Sequence, residues 1–191
     1  MNTIIDGVDY GPLAQLIGKW IGKIGLDKAP EPDGEEATAY IDELTFVAAG
    51  SANNAEQQNL VAVRYHHLVR KKESDLIFHD QIGHWIYEEA TGLVMHSLTI
   101  PRGVSVLAGG SLSQNGDHTT FDVKAELGNE TFGVLQSPFM LEKAKTKAFH
   151  MVLNVEGDKM SYRETTSLYI YDKDFEHVDY STLKRLTYDI D

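Results

Sequence analysis

The sequence predicts an all-β protein, a single domain over residues 1–191 built as one up-and-down antiparallel β-barrel of about ten strands with a short N-terminal helix. Three observations predict it. Extended segments with apolar residues in alternation follow one another from Gly18 to Tyr188, turn signals such as Glu89-Ala90-Thr91-Gly92, Asn115-Gly116-Asp117 and Glu156-Gly157-Asp158-Lys159 separate them, and no second long helical period interrupts them. The last point excludes a βαβ fold.

The helix is expected at Gly11 to Ile17, where Pro12 suits a first helical position and Leu13, Leu16 and Ile17 share one face. So short a helix needs an apolar partner, and the bottom opening of a barrel supplies one. The first strand runs from Gly18 through Trp20 into a loop expected from Asp27 to Glu36, because its prolines and acidic residues oppose a regular element. Further strands are expected from Thr38, at Leu60 to Val69 with Val61, Val63, Tyr65, His67 and Val69 on one face, at Leu76 to Glu88, and at Leu93 to Ile100. After Pro101-Arg102-Gly103, a strand at Val104 to Ala108 is followed by a loop starting at Gly109-Gly110. The remaining strands fall at Thr119 to Leu127, Thr131 to Gln136, Thr146 to Val155, Met160 to Tyr171 and Tyr180 to Tyr188. Ser137 to Lys145 suits either a helical turn, through Met140, Leu141 and Ala144, or a loop, through Pro138.

Composition excludes several functions. An apolar share of 42% supports a real core, and a net charge of −12 with a pI near 5.0 opposes binding to nucleic acid or to an anionic membrane. The basic cluster Arg70-Lys71-Lys72 reads as a solvated turn. With no cysteine there is no disulfide, thiolate-bound metal or thiol catalysis. No run is long enough to span a bilayer as a helix, and Met1 to Tyr10 lacks the basic and apolar regions of a signal peptide, so a soluble, cytoplasmic protein is expected. No Gly-x-Ser-x-Gly elbow is present, and Gly109-Gly110-Ser111 lacks the lysine of a phosphate loop. Glu43, Glu126 and Glu164 sit on strands where an outward face explains them as well as an inward one, and no catalytic residue is assigned.

Gly18-Lys19-Trp20, set after a short helix in a chain that closes on Leu183-Lys184-Arg185, resembles the lipocalin and calycin class. That resemblance implies a structural stack of Arg185 across Trp20 at the barrel floor, a cation–π contact of about 0.5–2 kcal/mol. The chain is also similar to a narrower group, the nitrobindin or heme-binding β-barrel family related to fatty-acid-binding proteins. Gly18, Trp20 and Gly22 match its first strand, with the next glycine, Gly25, one place late. His79-Asp80-Gln81-Ile82-Gly83-His84-Trp85 and Ser161-Tyr162-Arg163-Glu164-Thr165-Thr166 resemble two of its other strands.

The resemblance implies ferric heme b with His177 as the axial ligand of its iron, nitric oxide and peroxynitrite chemistry, and a possible homodimer. Counted from Arg185, His177 lies an even number of places away, where the family's histidine lies an odd number from its closing basic residue. Strand parity therefore turns His177 to the other face unless a bulge intervenes. Two alternatives stand beside heme: a non-heme carrier or sensor of a fatty-acid-like apolar ligand, and a barrel filled by side chains such as Phe121, Phe149, Met151 and Leu153 that serves as an interaction module. Among the other histidines, adjacent His66 and His67 point to opposite faces, as do His79 and His84. A cross-strand metal site is left to His79, His96 or His150.

Overall fold

A computed structural model describes residues 2–187. A two-strand ribbon, β1 (Ile4–Ile5) and β2 (Val8–Asp9), leads into a 3-10 helix, Gly11–Leu16. The chain then forms β3 (Gly18–Glu31), β4 (Gly34–Asn54), β5 (Gln58–Lys71), β6 (Ile77–Glu88), β7 (Leu93–Ile100), β8 (Val104–Asn115), β9 (His118–Glu126), β10 (Val134–Gln136), α1 (Pro138–Lys143), β11 (Ala144–Glu156), β12 (Lys159–Ile170) and β13 (Lys173–Arg185). Each strand pairs antiparallel with the next from β3 to β9, β9 passes to β11, and β13 returns to β3, so ten strands close the predicted barrel. Among the described residues, no helix is long and apolar enough to cross a membrane.

The short β10 pairs with the first residues of β8, and the Gln136 side chain bridges it to β11. Its amide donates to the Thr146 carbonyl at 2.8 Å and accepts from the Thr146 N–H at 2.8 Å, standing in for one rung of a backbone ladder. Ser137 caps α1 by accepting from the Met140 N–H, and Pro138 follows at the first helical position. The strip that the sequence left between helix and loop is therefore a short capped helix that runs directly into β11 at Ala144.

Four strand boundaries differ from the sequence expectation; the strand expected from Thr131 starts only at Val134. The expected loop at Asp27 to Glu36 is mostly strand: β3 continues to Glu31, and the hairpin turns only at Pro32-Asp33. Pro30 is tolerated because it lies beyond Lys28, where β3 has parted from β13 and keeps one neighbour. Gly109 and Gly110 do not open a loop; they sit inside β8, where it is paired with both β7 and β9. A Cβ on Gly110 would lie 1.9 Å from the Asp122 carbonyl oxygen, a close backbone approach, and one on Gly109 would lie 2.2 Å from the Phe132 ring. Finally, β13 begins at Lys173, well before Tyr180. Tyr171 and Asp172, both at positive φ, make a two-residue hairpin turn whose sequence lacks the usual Asn-Gly signal. Tyr188 lies outside the described residues.

The interior divides into two halves. At the lower end, the 3-10 helix buries Leu13, Ala14 and Leu16 beneath Trp20, Phe46, Trp85, Phe121, Leu153 and Leu183. Phe149 and Met151 are buried as well, so the side chains suspected of filling the barrel do face inward. The upper end, reached by the close of β3 and β5 and the start of β6 and β13, is polar.

Candidate functional site

At the floor, Gly18 adopts φ +128° and brings the chain to Trp20, which is wholly buried and donates its indole N–H to the Leu16 carbonyl at 2.7 Å. Arg185 is paired with Trp20 across β13 and β3, and its guanidinium lies 4.0 Å from the ring centroid. The same guanidinium donates to the carbonyls of Ile17 and Gln15 and to Asp158, tying the helix end to the last hairpin.

His177 faces the interior. On β13, Ser181 and Leu183 are buried inside the barrel and Arg185 covers its floor; His177 shares their parity, and β12 pairs with β13 in unbroken register. The expected turn to the outer face is therefore corrected: Arg185 itself lies across Trp20, so an even spacing from it puts His177 on the inner face, and the irregularity lies on the neighbouring strand. Between Gly22 and Gly25, β3 carries one residue more than either β4 or β13, a bulge that puts Ile24 out to solvent. It explains the late glycine: Gly22 and Gly25 both point inward, and a Cβ on them would lie 1.9 Å from Asp42 Oδ1 and from Tyr40 Cε2 respectively. It also resets the phase of β3 so that Asp27 faces in.

His177 Nε2 donates to Asp27 Oδ1 at 2.6 Å and lies 3.4 Å from Asp179 Oδ2. Asp27 is buried, while the side chains of His177 and Asp179 remain 30% and 26% exposed, so solvent reaches the group. Glu164 faces Asp179 across β12 and β13. Burial alone lowers the His177 pKa, but the bond to Asp27 and the charges of Asp179, Asp27 and Glu164 outweigh it, and the net shift is upward. Burial pushes Asp179 well up, against the pull of His177, and raises Glu164 against the pull of His67 and His177.

Below this group lies a second polar layer. Asp42, fully buried, accepts from Ser181 Oγ at 2.9 Å and from the Tyr162 hydroxyl at 3.0 Å, and the Tyr40 hydroxyl lies 2.7 Å from that of Tyr162. His67 Nε2 sits 3.5 Å from Asp42 Oδ2 and has no hydrogen-bond partner. Across the barrel, His79 donates to Gln81, whose amide donates to the Tyr65 hydroxyl at 2.6 Å; that hydroxyl is 2.8 Å from His96 Nε2. His96 stacks on Trp85 with ring centroids 4.3 Å apart. Burial first, then His67, lowers His96 to about 3 and His79 to about 4, so both are neutral near pH 7.

Of the histidines left to a cross-strand metal site, His79 and His96 face inward but belong to this chain of hydrogen bonds, and His150 is on the outer side with Asp122 at 2.9 Å. His66, also outside, pairs with Asp80. Sequence reading missed Asp27, Asp42, Tyr162 and Asp179 as partners of the site. The alternation His177, Asp179, Ser181 was a usable signal; the bulge concealed Asp27.

The family described as "THAP4-like, heme-binding beta-barrel domain" matches residues 9–185 of this chain. Among solved structures, the crystal structure of Rv2717c from M. tuberculosis superposes with a TM-score of 0.68 at 18% identity, over 94% of this chain and 100% of that one. At that identity the likeness speaks to the fold.

Proposed function

The chain belongs to the family of THAP4-like, heme-binding β-barrel domains, and on that footing we propose that it is a ligand-binding barrel whose ligand is held at its polar upper end by His177. The observation that carries this reading is an inward-facing, solvent-reachable imidazole on the last strand, held by Asp27 beside Asp179. A partly exposed imidazole of this kind is open to a ligand that takes the place of Asp27 at its Nε2.

Heme b, with nitric oxide and peroxynitrite chemistry, is the ligand the family resemblance brings, and His177 is the residue that would hold it. The surroundings of His177 do not suit that group as they stand. The carboxylates of Asp27, Asp179 and Glu164 gather around its ring, where a porphyrin presents a broad apolar face. A fatty-acid-like ligand meets the same objection, since its carboxylate would add a further negative charge. The reading favoured by the geometry is therefore a small, polar or cationic ligand. Heme b remains the second reading, favoured by the match over residues 9–185.

The test is an absorbance titration with hemin beside His177→Ala. Under the favoured reading, no stoichiometric Soret shift depends on His177. A shifted band that the variant loses would establish heme b instead and direct work to nitric oxide and peroxynitrite.

A further inference from the structure

The geometry points to a divalent transition-metal ion, held by Asp27, His177 and Asp179, as the ligand of this barrel. This rests on the reading that the barrel's ligand site is at His177, and goes beyond it by naming the ligand's chemistry. One nitrogen and two carboxylate oxygens, one from each residue, lie within 4.8 Å of one another. They come from two adjacent strands and converge on one point at the barrel mouth: Asp179 is paired with Asp27 across β13 and β3, and His177 is the next inward residue of β13. Donors about 2.0–2.2 Å from a common tetrahedral ion stand about 3.3–3.6 Å apart; His177 Nε2 and Asp179 Oδ2, at 3.4 Å, already have that spacing, while the 2.6 Å contact between Nε2 and Asp27 has to open.

The set mixes one borderline imidazole with two hard oxygens, which suits Zn²⁺, Mn²⁺ or Fe²⁺ and disfavours a soft ion; the chain has no cysteine to offer one. Three protein donors leave coordination positions open to water or to a small anion. When the ion binds, the proton on His177 Nε2 leaves to solvent and the metal–nitrogen bond takes its place, while Asp27 turns from hydrogen-bond acceptor into ligand.

Beneath the triad lies a further imidazole. His67 is buried, its Nε2 has no hydrogen-bond partner and lies 3.5 Å from Asp42 Oδ2, and its ring sits beside those of His79 and Tyr162. The polar layer under the triad thus continues the same inward-facing set of side chains.

The experiment is calorimetric titration of metal-free protein with Zn²⁺ and, separately, with Mn²⁺, with imidazole ¹⁵N spectra recorded alongside and hemin titrated in parallel. One equivalent of Zn²⁺ is expected to bind and shift the His177 nitrogen signals. Asp179→Asn and His177→Ala should each weaken binding more than tenfold, while the outer-face variants His66→Gln and His150→Gln leave it unchanged. Spectra showing that Asp179→Asn retains its fold keep a loss of binding interpretable. Binding abolished by the outer-face variants and kept in Asp179→Asn would overturn the site. Absence of metal binding with a His177-dependent hemin Soret band would overturn the metal and leave His177 as the ligand residue. Absence of both would overturn the metal and the ligand site together.

Discussion

At the floor of the barrel, Trp20, Phe121, Leu153 and Leu183 are wholly buried, and the charge admitted there, Arg185, lies flat on an indole with its guanidinium bonded to Ile17, Gln15 and Asp158. At the mouth, one imidazole is crowded by Asp27 and Asp179, with Glu164 opposite, and all but Asp27 stay partly open to water. The same closed ladder supports both ends. The difference teaches which end is built for stability and which gathers titratable groups: floor substitutions should cost stability, and mouth substitutions should cost binding.

The largest effect is expected at the floor. Trp20→Ala removes a buried indole together with its bond to the Leu16 carbonyl and the platform for Arg185, and should cost about 3–5 kcal/mol in a urea titration. Near-normal stability in that variant would erase the distinction between the two ends.

Next comes acid. His96, in the layer between floor and mouth, is held neutral with its pKa lowered by burial to about 3, whereas in the unfolded chain it titrates near the ordinary value of 6.5. The unfolded state therefore takes up a proton first as pH falls. The stability this group contributes is whole above pH 6.5 and is lost through the window down to about 3, at about 1.4 kcal/mol per pH unit. His79, lowered to about 4, adds the same sign over a shorter window. Urea midpoints measured from pH 7 to 5 should fall less steeply in His96→Gln than in the wild type; parallel slopes would mean that His96 is already charged in the fold.

A smaller cost is expected at the bulge that joins the two regimes. Gly25→Ala would drive a methyl against the buried Tyr40 ring, 1.9 Å from Cε2, at about 1–3 kcal/mol. Chemical denaturation of that variant, with Gly34→Ala as a control whose Cβ meets nothing, checks it. Equal effects at the two glycines would show that the ring gives way.

The barrel itself was legible in the sequence because alternation and turn residues are local signals. Val61 to Val69 announced the inward face of β5 through its side chains alone, and Asn115-Gly116 announced a hairpin. The stack of Arg185 on Trp20 was legible through the resemblance to the lipocalin and calycin class. The mouth was not, because its assembly depends on two departures from the local rule. Tyr171-Asp172 turns a hairpin without glycine, which hid the true start of β13 and left His177 outside the strand expected from Tyr180. The extra residue between Gly22 and Gly25 shifted β3 by one, so Asp27, which alternation counted from Trp20 would put outside, stands inside beside His177. Glu164 could be placed on either face until its neighbour across β13, Asp179, was known.

The smallest effect on stability belongs to the mouth, and its sign separates the two ends most sharply. Asp179 is raised well above the usual carboxylate range by burial, with His177 pulling it back and Glu164 and Asp27 adding to the rise. A carboxyl whose folded pKa exceeds its unfolded value binds its proton more tightly in the fold. Its charged form therefore destabilises the fold as pH climbs through the folded pKa, and this cost is absent below the unfolded value near 3.8. Asp179→Asn removes the charge and keeps the shape. In metal-free protein near pH 7 it should be neutral or stabilising by up to about 1 kcal/mol, since the group is partly solvated, and the gain should vanish at acid pH. A urea titration at both pH values reads it. A clear loss of stability at pH 7 would mean that the contact with His177 holds the barrel together, and the mouth would then have to be read as a second piece of scaffold.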